Sequence, residues 1–218
     1  MGNSRMASAK KLAVAWVLAS AAASGGQQVT VSEEASLGVE SVEIANLQVF
    51  NTSEIVDGAT ILIRNFRDQV AEASLSTRAL EPEVAYSIWW AVFNRPQFCA
   101  VPGVCRVTDL EVNGGDPRVK VSVFWGGGFV ADTFGTANVS LRLYPGRTTR
   151  ELFANSRNYG LIDLRRAEIH MVLRTHGPAG VAGTVGEQVG TANRACPLDG
   201  CRNVFASIHR PGESVADP

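Results

Sequence analysis

The stretch that most constrains this chain is Glu168-Ile169-His170-Met171-Val172-Leu173-Arg174-Thr175-His176-Gly177-Pro178. Ile169, Met171 and Leu173 are apolar. Glu168, His170, Arg174 and His176 are polar, with Val172 the exception on that side. Successive side chains on a strand point to opposite faces. The alternation therefore predicts a strand with one face in a core, the other carrying an acid, two imidazoles and a guanidinium. Gly177-Pro178 supplies the stop signal.

A strand of this kind needs partners, and the chain provides them. Val39–Phe50 and Ala59–Arg64 read as strands, the first by alternation and β-branched content. Ala71–Leu80 alternates too, although its Ala, Glu and Leu also suit a helix. Tyr86–Phe93 is apolar on both faces, as in a central strand covered on both sides. Its Trp89 and Trp90 point opposite ways, as core anchors or, in the rival reading, as a platform for sugars or rings. Val119–Trp125 precedes Gly126-Gly127-Gly128, a corner or bulge. Asn138–Leu143 and Val204–His209 complete the set, the latter with Val204, Ala206 and Ile208 facing the core. Arg147–Asn158 is left as a helical or irregular segment. Short strands separated by turn signals predict an all-β fold: an antiparallel β-sandwich, Greek-key-like, with disulfide-stapled loops and minor helix. A chain of 218 residues, 45% hydrophobic and 19% charged, suits one folded domain, placed at residues 39–210. A flexible lead-in (24–38) precedes it and a polar tail (211–218) follows.

The first 23 residues read as a secretory signal. Arg5, Lys10 and Lys11 precede the uncharged apolar run Leu12–Ala23, which ends in A-x-A patterns. The run is shorter than the about 20 residues a bilayer span takes. An uncleaved anchor or a short buried helix are the alternatives, and no transmembrane segment is expected after cleavage. The expected location is secreted or periplasmic. There, four cysteines in two tight pairs suggest disulfides, most simply Cys99–Cys105 and Cys196–Cys201, the local choice among three connectivities. A four-thiolate zinc site is the rival, but neither pair has the C-x₂-C spacing. A net charge of −1 with no basic run argues against nucleic acid as a partner.

His176-Gly177-Pro178-Ala179-Gly180-Val181-Ala182-Gly183 resembles the His-Gly-Pro-Ala turn of chordin-type (CHRD) domains, which are exported β-sandwiches. It is also loosely similar to the copper/zinc superoxide dismutase sandwich. The wider chain, with Trp89-Trp90 and its cysteine loops, resembles an uncharacterised family of exported bacterial proteins. The resemblance implies a fold more than an activity.

Chemistry-bearing residues are few. At ~3.3 Å per residue, His170 and His176 stand roughly 20 Å apart on a straight strand and cannot share an ion. Glu168 and His170 are ~6.6 Å apart on one face. His209 is the candidate third ligand if its strand pairs beside theirs, which makes Glu168–His170–His209 a copper or zinc site. A solvated or salt-bridged face, Glu168 with Arg174 or a cross-strand Arg, is the alternative. No G-x-S-x-G elbow marks a nucleophile. The functional expectation is an exported module of structural or binding type without catalysis, its partner an extracellular protein or carbohydrate. The alternative is a copper- or zinc-binding protein.

Overall fold

The computed structural model describes residues 40–146, 159–191 and 193–212. The expected signal, the lead-in, the segment 147–158 and the tail beyond Gly212 lie outside them. Eight strands form one antiparallel sheet: β1 (Glu40–Val49), β2 (Ile55–Asn65), β3 (Val70–Thr77), β4 (Val84–Phe93), β5 (Val121–Val130), β6 (Ala137–Leu143), β7 (Glu168–Pro178) and β8 (Arg202–His209). Their spatial order is β5-β4-β7-β8-β1-β2-β3-β6. The expected antiparallel all-β class is thus present, as a sheet rolled until its edge strands β5 and β6 almost meet. Among the described residues, no helix is long and apolar enough to cross a membrane.

The roll is permitted by the glycine run. Gly126 is the extra residue between the pairs Ile88–Gly127 and Trp89–Trp125, so β5 bulges there as the sequence suggests. A Cβ on Gly126 would lie 2.5 Å from Trp90 Nε1, and one on Gly127 2.5 Å from Leu141 Cδ2 of β6. A Cβ on Gly128 would strike the backbone at Val189. That residue belongs to α1 (Val185–Gly190), a short helix capped by Thr184 and Glu187. Side chains at these glycines would push away the interior tryptophan, the closing strand and the covering helix.

The rolled sheet has two apolar faces. Eight strands enclose a space that side chains fill, here Leu47, Leu62, Leu75, Trp90, Leu143 and Met171 among others. On the outside, Trp89, Phe93, Val121 and Val123 pack beneath Cys99, Cys105 and Val119, which belong to the connection from β4 to β5. This double cover explains why every residue of β4 is buried. Both expected disulfides are formed, Cys99–Cys105 and Cys196–Cys201.

Candidate functional site

The polar side of β7 is not solvated. It is where both cysteine loops are moored. Glu168 is fully buried, and its carboxylate accepts the Cys105 N–H at 3.1 and 3.3 Å. It also takes a hydrogen bond from His170 Nε2 at 2.7 Å. Arg210, just past β8, donates from Nε to the Gly103 carbonyl at 3.1 Å and holds the same nitrogen 3.6 Å from Glu168 Oε2. A buried carboxylate needs partners of this kind. Of the two salt-bridge partners offered as the alternative, Arg174 and a cross-strand arginine, the second is found, since Arg210 lies across the ladder from Glu168. Arg174 instead donates to Asn203 and Asn193 at 2.8 Å each.

At the other end of β7, His176 carries the second loop. Its Nδ1 lies 3.2 Å from the Arg194 carbonyl and 3.1 Å from Cys201 Sγ. Its Nε2 lies 2.8 Å from Ser87 Oγ, which also accepts the Trp89 indole N–H at 3.0 Å. With Nδ1–H given to Arg194, every group in this chain of bonds is satisfied. Burial lowers the pKa of His176 from its ordinary value. Ser87 and His176 have the spacing of a nucleophile and its base, yet both are fully buried, so a substrate carbonyl has no path to the hydroxyl. His176, Cys196 and Cys201 also bring three donor atoms within 4.8 Å of one another. The two sulfurs are joined in a disulfide, whereas metal ligation is the chemistry of the thiolate. Gly177 and Pro178 form the end of the strand: Gly177 takes φ +74°, and Pro197 of the cysteine loop packs against it.

The third proposed ligand goes elsewhere. Register pairs Ile169 with His209 and His170 with Ile208. Paired residues share a face, so His209 points into the interior while Glu168 and His170 point out. The expectation that Val204, Ala206 and Ile208 face the core holds for Val204, which packs against the inner cluster at a bulge, and is corrected for the other two: Ala206 and Ile208 lie outside, and Phe205, Ser207 and His209 inside. Glu168–His170–His209 therefore does not converge on one ion. His209 is 1% exposed, with Nε2 2.8 Å from Thr60 Oγ1 and Nδ1 3.9 Å from Glu43 Oε2. Burial first, then the positive field of Arg64, lowers its pKa to about 3. Beside it, Arg64 clamps Glu43 through Nε at 2.7 Å and Nη2 at 3.1 Å. Its Nη1 donates to the carbonyls of Leu164 and Ala167, both at 2.7 Å, pinning the segment before β7 across one end of the roll. Burial pushes the Glu43 carboxyl up against the pull of Arg64.

Among the described residues, a groove of ≈ 970 Å³ opens on the outer face of the sheet. Trp89, Phe93, Val172, Ala206 and Ile208 form its floor. Val104, Val107, Leu110 and Val112 of the first cysteine loop form one wall, and the β1–β2 turn around Phe50 forms the other. His170, its ring 4.8 Å from that of Phe93, reaches the groove with Arg106 and Arg210. Comparison with family models, curated proteins and solved structures returns no match. The site must be read from its own geometry. Sequence reasoning reached Glu168 and His170 and flagged Trp89. It missed Arg106, Arg210, Ser87 and the Glu43–Arg64 pair, whose partners lie far off in the chain and leave no local spacing signal.

Proposed function

We propose that this chain is an exported binding module without catalysis, and that the outer groove takes the apolar body of a small molecule. The groove itself carries the reading. Its volume falls at the upper end of the range for small-molecule sites, and an apolar lining with a few convergent polar groups is the usual composition of such sites. The Cys99–Cys105 loop, anchored on Glu168, fixes one wall and so lowers the ordering cost of binding. Two disulfides and the apolar Leu12–Ala23 run favour an oxidising compartment outside the cytoplasm.

The test is a titration with Nile red, a neutral dye that brightens and shifts blue in apolar surroundings. Wild type is expected to give saturable, blue-shifted emission at one site per chain. Ala206→Trp, which fills the floor without touching the interior, should weaken it at least about tenfold, the equivalent of 1.4 kcal/mol. No saturable signal, or one that Ala206→Trp leaves unchanged, overturns the reading.

A further inference from the structure

We infer that the groove's natural ligand is a single-chain amphiphile whose head is a carboxylate, with Arg210 and Arg106 receiving the head and the Trp89–Ile208 floor the chain. The inference rests on the binding reading above and adds the ligand's charge and class. Its first support is the sign of the lining. Among the described residues the groove is lined by two arginines and a histidine, and by no Asp or Glu, although the chain carries one more acid than base overall. A cationic mouth on a mildly acidic protein favours an anion.

The second support is how Arg210 is held. Its hydrogen bond to Gly103 and its approach to Glu168 both use Nε. The guanidinium is thus fixed at one corner while its terminal nitrogens have no hydrogen-bond partner among the described residues. Its side chain is 32% exposed. A planar fork anchored from behind, at the mouth of an apolar groove, is suited to a carboxylate through two parallel N–H···O bonds. Arg106 is exposed and makes no ion pair among the described residues.

The third support is the acid already beside the fork. Glu168 Oε2 lies 3.6 Å from Arg210 Nε, and the Asp109 carboxylate accepts the Arg106 backbone N–H at 2.7 Å. A head of single charge adds the least repulsion to these two carboxylates. A phosphate monoester would bring a second negative charge towards Glu168.

The experiment displaces Nile red from the full chain with dodecanoate, dodecanol and dodecyl phosphate in parallel, below the aggregation threshold of each. Dodecanoate is expected to displace the dye at about tenfold lower concentration than dodecanol, the value of a charge-assisted head contact of 1.4 kcal/mol. That advantage should shrink in Arg106→Met and vanish in Arg210→Met, with dodecanol unaffected. Arg106 is exposed, so its variant keeps the test sound should Arg210→Met disturb the loop. Equal displacement by dodecanoate and dodecanol, or an advantage that survives both variants, overturns the carboxylate assignment and leaves the binding reading standing. Preference for dodecyl phosphate overturns it in favour of a phosphate head. Failure of Nile red itself to bind removes both.

Discussion

Two clusters of the same composition sit back to back on one sheet. Inside the roll are Glu43, Arg64 and His209; outside are Glu168, Arg210 and His170. Both contain a buried carboxylate, and both tie down a segment beyond the strands. They differ in how completely the arginine is used. Arg64 is fully buried and makes four hydrogen bonds, two to a carboxylate and two to backbone carbonyls. Among the described residues, Arg210 spends one nitrogen and keeps the rest of its fork at a groove. The same three residue types make a plug in one place and, in the proposed reading, a receptive surface in the other. Accessibility and unsatisfied donors separate the two cases.

The largest expected effect comes from breaking the inner cluster. Arg64→Met leaves Glu43 desolvated without its cation and strips the Leu164 and Ala167 carbonyls of their donor. Removing one partner of a buried pair costs about 3–5 kcal/mol, so the urea midpoint should fall sharply. The double variant Glu43→Leu/Arg64→Met should recover part of that loss, because no unpaired charge stays buried. A midpoint close to wild type for the single variant would show that the inner trio does not hold the end of the roll.

The pairing of these trios explains what could be read in the sequence and what could not. The strands announce themselves, since alternation in β1, β3 and β6 survives in the observed burial. The unbroken apolar run of β4 correctly signals cover on two sides, and tight cysteine spacing signals the local disulfides. The facing of β8 was not legible. Both of its sides are partly covered, so Val204, Ala206 and Ile208 look as core-like as Phe205 and His209. The decision rests on register with β7 and on Thr60 and Glu43, which lie far upstream. The metal reading fails at that point, by one residue of parity. Val172, the apolar exception on the polar side of β7, has its reason in the groove, whose floor it shares with Trp89.

Acid should sharpen the contrast between the two faces next. His209 has a folded-state pKa of about 3, well below its ordinary value. Between roughly pH 6.5 and 3 the unfolded chain therefore binds a proton there that the folded chain refuses. Stability must fall as pH drops through this window, by up to about 1.4 kcal/mol per pH unit for this one group. Below about 3 both states are protonated and the slope ends. Glu43, whose pKa is raised by burial, acts in the opposite sense: the folded state takes its proton first, which adds stability as pH falls. Comparing unfolding free energies of wild type and His209→Gln across pH 3–7 removes the contributions common to both. The variant should show the shallower acid slope. Parallel curves would mean that His209 is not the group held neutral inside the roll.

The smallest effect is expected where the function is placed. Arg210→Met removes an ion pair at 3.6 Å from a side chain that is about one-third exposed. Its carboxylate is buried, but the contact is long, the arginine is partly solvated, and Glu168 keeps the Cys105 N–H and His170 as partners, so the loss should be smaller than at Arg64. The urea midpoint should therefore move less, while the discrimination between dodecanoate and dodecanol should disappear. A stability loss on the scale of Arg64→Met would make the outer trio a second plug, with Arg210 committed to the Gly103 loop. A small loss combined with lost discrimination would separate the two arginines by role, because only a donor that folding leaves unspent remains available to a ligand.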